Sequence, residues 1–224
     1  MRSRFKWAGA VLAAVAVLAV LSSSASAEVW ETGAFKFTAG QSENVKSRIK
    51  SEEFLIRGQF VGLPLKIKAT GLECLECKIT QTGEGETGVA GGTAKYKFTG
   101  VKLLEPEGCA TMPTFTTEPL VETYFPRTGS GLLELKPAEG TTIAAIPISG
   151  CIKEKPVPLT GTLDGRAKEL GYIAVSQPVA FSLPIEEEEG GSLQFAGNRA
   201  SVTGELFNEL SGVNEGRMFG VAAK

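Results

Sequence analysis

Histidine is absent from all 224 residues, and Asp164 is the single aspartate of the chain. Without histidine there is no general base for a Ser-His-Asp or Cys-His nucleophile, and no imidazole to ligate zinc or iron. With one aspartate, the calcium loops that draw on Asp and Asn at alternate positions have no ligand set. Ser130, in TGSGL, lacks the glycine two places upstream that a nucleophile elbow requires. No catalytic residue, no metal and no cofactor are therefore expected. Also missing, once the first 27 residues are set aside, is any segment of ten or more residues with sustained helical periodicity.

The first 27 residues have their own layout. Arg2, Arg4 and Lys6 form a positive head, Ala8 to Leu21 an apolar run of 14 residues, and Ala25-Ser26-Ala27 an A-x-A cleavage site. This is the three-part plan of a secretory signal peptide, and the apolar run is shorter than the roughly 20 residues a membrane span needs. No cysteine follows the run for lipidation, and Ser3 separates the two arginines, so the general secretion route is expected, with cleavage after Ala27. Residues 28–224 then form one secreted β domain with no membrane segment. That mature chain carries 20 Lys+Arg against 25 Asp+Glu, an acidic balance with no basic excess for a phosphate backbone, so nucleic acid is not an expected partner. A cell-envelope or extracellular polymer is the partner class that export leaves open.

Export also decides how the cysteines read. Cys74, Cys77, Cys109 and Cys151 are an even count in an oxidising compartment, which predicts two disulfides. Of three possible pairings, the expected one joins Cys109 to Cys151, each preceded by glycine, and closes a local loop between Cys74 and Cys77. The C-x-x-C spacing is also that of a redox dithiol. Such a site ordinarily needs a thiolate stabilised at a helix start, and no helix follows, so the structural disulfide is the expected role.

Along the mature chain, apolar residues recur at every second position in short runs broken by Gly and Pro. Leu63, Leu65 and Ile67 face one way, and Lys66 and Lys68 the other. Val179, Phe181, Leu183 and Ile185 give the cleanest alternation, followed by the acidic run Glu186 to Glu189, which reads as a solvated hairpin tip. Residues 82–93, with five glycines in twelve, predict a loop. GLLELKP and TTIAAIPIS predict a hairpin, and a phase change between Phe98 and Val101 predicts a β-bulge at Thr99-Gly100. The phrase apolar-Thr-Gly recurs at FTGVKL (98–103), LTGTLD (159–164) and VTGELF (202–207), at spacings too unequal for a solenoid, and predicts equivalent bends. The expected fold is all-β, a β-sandwich or closed barrel of roughly ten or more short antiparallel strands.

The succession FTGVKLLEPEGC, TTEPL, ISGC, PVPLTGTLDG and LQFAG…ASVTGEL resembles a family of small exported proteins of uncharacterised function, found as multiple paralogues in soil actinobacteria. The similarity spans roughly residues 95 to 210. It implies a secreted β-rich protein and supplies no active-site residues.

Three function classes follow. The first is a non-enzymatic exported module, structural or binding. For that module, a flat aromatic platform would have to use Tyr124, Tyr172 or Trp30, since Tyr96 is in phase with Phe98 and belongs to the core. The second is a secreted hydrolase with two glutamates at about 5–9.5 Å separation, although Glu118, Glu122 and Glu134 read as ordinary strand or turn residues. The third is a barrel that carries a small apolar ligand.

Overall fold

Period-two alternation gives strands, and strands are nearly all that forms. The computed structural model describes residues 28–32, 36–50, 53–83, 89–127, 130–151, 155–167, 174–181 and 192–223. The first strands are β1 (Glu28–Thr32), β2 (Ser42–Ile49), β3 (Phe54–Phe60), β4 (Leu63–Ala69), β5 (Gly71–Cys74), β6 (Lys78–Thr82) and β7 (Val89–Ala94). In the middle lie β8 (Tyr96–Thr99), β9 (Lys102–Glu105), β10 (Ala110–Thr111), β11 (Thr114–Thr116), β12 (Leu120–Arg127), β13 (Ser130–Pro137) and β14 (Thr142–Ser149). The last are β15 (Lys155–Thr160), β16 (Leu163–Ala167), β17 (Ser176–Phe181), β18 (Gln194–Phe195), β19 (Asn198–Arg199), β20 (Ser201–Leu210) and β21 (Phe219–Ala223). The one helical element among the described residues is a 3-10 turn at Gly212–Asn214.

Eight strands close an antiparallel barrel in the order β17-β16-β13-β12-β7-β6-β2-β20, with β20 pairing back onto β17. Closure leaves these strands no open edge for another chain to template on. Their inward positions alternate as the sequence does, with Val45, Ile79, Leu120, Leu133, Leu135, Val179, Phe181, Leu206 and Leu210 all buried.

The ten-residue β20 belongs to two sheets. Its C-terminal half pairs with β2 and β17 in the barrel wall, and its first residues, Ser201 to Thr203, pair with β3. From there β3, β4 and β9 extend outward, and two smaller sheets, β10-β14-β15-β18-β19 and β11-β8-β5, complete the fold. One hydrophobic core runs through all of it. Phe54 joins the parts, with its ring 5.3 Å from Phe98 and 5.7 Å from Phe181, and Phe98 stacks on Phe115 at 4.8 Å.

The three Thr-Gly phrases are bends. Gly100, Gly161 and Gly204 have φ of 61°, 100° and 149°, in the region that favours glycine. Gly100 stands between β8 and β9, Gly161 between β15 and β16, and Gly204 where β20 changes neighbours.

Three local expectations are corrected. The step at Thr99-Gly100 is a corner between sheets, because β8 pairs with β5 and β11 while β9 pairs with β4. Strands β13 and β14 do not form a hairpin: β13 pairs with β12 and β16, and β14 with β10 and β15. The glycine-rich stretch is not all loop, since Val89 to Ala94 is the barrel strand β7. Its glycines are there for close approach: a Cβ on Gly91 would stand 2.6 Å from the Glu122 carbonyl oxygen, and one on Gly92 2.2 Å from that of Lys78. Leu183, Ile185 and Glu186 to Glu189 lie outside the described residues, as does the 1–27 segment.

Candidate functional site

The first and last described strands pair with each other. β1 and β21 form an antiparallel ribbon, with Glu28 opposite Ala223 and Trp30 opposite Val221. Trp30 and Phe219 are each 1% exposed, and Trp30 meets the Tyr124 ring edge-on at 4.8 Å and the Phe219 ring at 6.1 Å. Residues of β7 make room for it, and the indole Nε1 donates to the Gly91 carbonyl at 2.9 Å.

A ribbon packed into a barrel brings unpaired backbone groups with it, and these must be met. Two buried glutamines meet them. Gln81 Oε1 accepts the Trp30 N–H at 2.9 Å, and Gln177 Nε2 is a second donor to the Phe219 carbonyl, which also accepts the Ala174 N–H at 3.1 Å.

Beside the ribbon lies a polar cluster. Strand β12 turns Leu120, Glu122 and Tyr124 inward, so Glu122 is 7% exposed. Tyr96, at the start of β8, donates its hydroxyl to Glu122 Oε1 at 2.7 Å, and Ser47 donates to Asn208 Oδ1 at 2.6 Å. These groups, with Val45, Cys77, Lys78, Ile79, Tyr124 and Phe219, wall a cavity with room for about one water. Burial pushes the Glu122 carboxyl up to about 7, with the Tyr96 hydrogen bond acting against it. Burial, then the neighbouring Glu122 charge, holds the Tyr96 phenol well above its usual range.

The aromatic platform expected from the sequence is not assembled. Trp30 and Tyr124 are core residues, 1% and 7% exposed, because β1 lies over the glycines of β7 and Tyr124 shares the inward phase of Leu120. Tyr172 lies outside the described residues. Tyr96 is core as expected, at 4%. Glu122 is not the ordinary strand glutamate the sequence suggested, and its phase with Leu120 and Tyr124 was the signal that could have found it. It is the one carboxylate on the cavity wall, so the two-glutamate arrangement is not met there.

Both disulfides pair as expected. Cys109 and Cys151 join the start of β10 to the end of β14, with Cα atoms 4.9 Å apart. Cys74 and Cys77, Cα atoms 5.9 Å apart, close the turn between β5 and β6. Among the described residues no group of three or more His, Cys, Asp or Glu side chains could hold a metal ion.

Comparison with known proteins finds no match to a protein-family model, to a curated protein or to a solved structure.

Proposed function

We propose that the chain is an exported β-domain that works as a binding or structural module at the cell surface or in the medium, after removal of residues 1–27. The observation that carries this reading is the filled barrel. Trp30, Tyr124 and Phe219 occupy its interior, and the cavity left beside them takes about one water. Neither a polymer chain nor an apolar ligand has space there, so a partner would engage the outside.

One further observation supports export: two disulfides suit an oxidising compartment. The carrier reading would require the β1–β21 ribbon to withdraw, and the hydrolase reading a second carboxylate facing Glu122.

The test is fractionation of cells expressing the full chain, with intact mass and N-terminal sequence, followed by co-sedimentation of the mature protein with insoluble cell-envelope polysaccharide. A mature protein beginning at Glu28 in the medium or envelope, and retained by the polymer, is the expected result. A cytoplasmic protein that keeps residues 1–27, or a polysaccharide hydrolysis lost in Glu122→Gln, would overturn the reading.

A further inference from the structure

The two disulfides sit in different surroundings. Cys109–Cys151 ties chain segments 42 residues apart, which is what a staple is for. Cys74–Cys77 joins residues only three positions apart in sequence, so its worth as a staple is small. Its two sulfurs are also unequally placed. Cys74 is half-buried at the edge of a turn whose Leu75 and Glu76 are exposed, whereas Cys77 is 7% exposed and forms part of the cavity wall with Glu122 and Tyr96.

We propose that Cys74–Cys77 is an exchange-active disulfide, in which Glu122 passes a proton to and from Cys77 across the water-sized cavity that both of them line. This goes beyond the module reading, because it gives the domain a chemistry of its own. The substrate class is a thiol and its disulfide, borne by a small molecule or by a protein cysteine.

The steps balance. An incoming thiolate attacks the Cys74 sulfur, the outer of the two, and the Cys74–Cys77 bond breaks with its electron pair on Cys77. The Cys77 thiolate takes a proton from the Glu122 carboxyl through the intervening water, leaving Cys77 as a thiol, Glu122 as a carboxylate and Cys74 in a mixed disulfide. A second substrate thiolate then attacks the substrate sulfur of that mixed disulfide and releases Cys74, which solvent protonates. Two substrate thiols have become one disulfide, and the pair is a dithiol. In reverse, a disulfide substrate reoxidises the pair, with the Glu122 carboxylate taking the Cys77 proton as Cys77 attacks.

Leaving-group protonation governs such exchange, and a carboxyl that holds its proton near neutrality is matched to it. Burial places Glu122 in that range. Where a helix start in other redox dithiols aids exchange by stabilising the thiolate, Glu122 aids it by protonating the leaving Cys77, so the chemistry does not require a helix after Cys77. The titratable and charged groups around the pair are Glu73 on β5, the exposed Glu76 of the turn, Lys78 on β6, Lys95 whose carbonyl faces the Cys74 sulfur, Tyr96 on β8, and Glu122 and Tyr124 on β12. Strand β2 contributes Val45 and Ser47, which do not titrate.

The experiment is timed reduction of the native mature protein with dithiothreitol, without denaturant, quenched by acid and read by maleimide labelling and mass spectrometry. Cys74–Cys77 should open about tenfold faster than Cys109–Cys151, or more. Its rate per unit of dithiothreitol thiolate should fall as pH rises through 7, as Glu122 loses its proton. In Glu122→Gln, checked for folding by near-ultraviolet circular dichroism, that fall should disappear. Cys77→Ser, which leaves Glu122 in place, should capture oxidised glutathione on Cys74. Equal opening rates for the two disulfides, opening only on unfolding, or a Glu122→Gln pH profile that superimposes on that of the native protein would each overturn the proposal.

Discussion

The Gln81 side chain accepts the backbone N–H of Trp30 at 2.9 Å inside the barrel, so a polar residue on β6 fixes the position of the strand that carries the buried Trp30. The ribbon that Trp30 belongs to joins the first and last described strands, and a buried glutamine holds each strand, Gln81 at the middle of β1 and Gln177 at the first residue of β21. Trp30→Ala should destabilise the fold by about 3–5 kcal/mol, the usual cost of emptying a large aromatic site. Chemical denaturation followed by tyrosine fluorescence or circular dichroism would measure it. A loss under about 1 kcal/mol would mean that the barrel does not depend on its ribbon. Deleting residues 219–224 should have a similar effect, because β1 then loses its pairing partner.

The two disulfides should differ in their contribution to stability. By loop-closure entropy, a bridge across 42 residues is worth about 4 kcal/mol, and one across three residues less than half of that. Paired serine substitution at Cys109 and Cys151 should therefore lower the denaturation midpoint far more than the same change at Cys74 and Cys77. Equal losses would assign Cys74–Cys77 a structural role that its position does not suggest.

Local features were legible in the sequence and non-local ones were not. Val179 and Phe181 are buried as their alternation required, and the Gly-Cys pairs at Cys109 and Cys151 are bonded. The repeated Thr-Gly phrase marked three real bends because backbone freedom at glycine is a local property. Barrel closure depends on Ser176–Phe181 pairing with β20, and the ribbon on Glu28 pairing with Ala223, and no local pattern encodes either partner. Trp30 was misplaced for the same reason: its burial is decided by glycines some sixty residues away, whose carbonyl at Gly91 receives the indole. Glu122 was hidden by its charge. Its position two residues from both Leu120 and Tyr124 put it on the inward face, but a carboxylate there is stable only with a partner, and Tyr96 lies in a different sheet.

Gly92 is a place where a single methyl group should matter. Its Cβ would stand 2.2 Å from the backbone oxygen of Lys78 on the neighbouring β6, and backbone cannot move aside as a side chain can. Gly92→Ala should cost about 1–3 kcal/mol by forcing β6 and β7 apart. Because Lys78 and Ile79 wall the cavity, the change should also alter the near-ultraviolet signal of Tyr96 and Tyr124. A variant as stable as the native protein would show that the β6–β7 pairing has slack there.

Glu122 should make stability depend on pH in a window set by its own shift. Its carboxyl is pushed by burial from 4.5 up to about 7, so between those values the folded chain binds a proton that the unfolded chain does not. Stability is then highest below 4.5 and falls as pH rises through 7, by an amount on the order of 3 kcal/mol over the whole window. Glu53 and Glu209 shift the other way, held below their usual range by Lys68 and Ser176, so their contributions change below that window. Glu122→Gln keeps an oxygen to accept from Tyr96 and has no proton to lose. The variant should match the native protein near pH 4.5 and exceed it at pH 8, as read by urea denaturation at each pH. If the native protein instead gains stability from pH 5 to 8 relative to Glu122→Gln, the carboxylate is the favoured form inside the barrel, and burial is not what governs its proton.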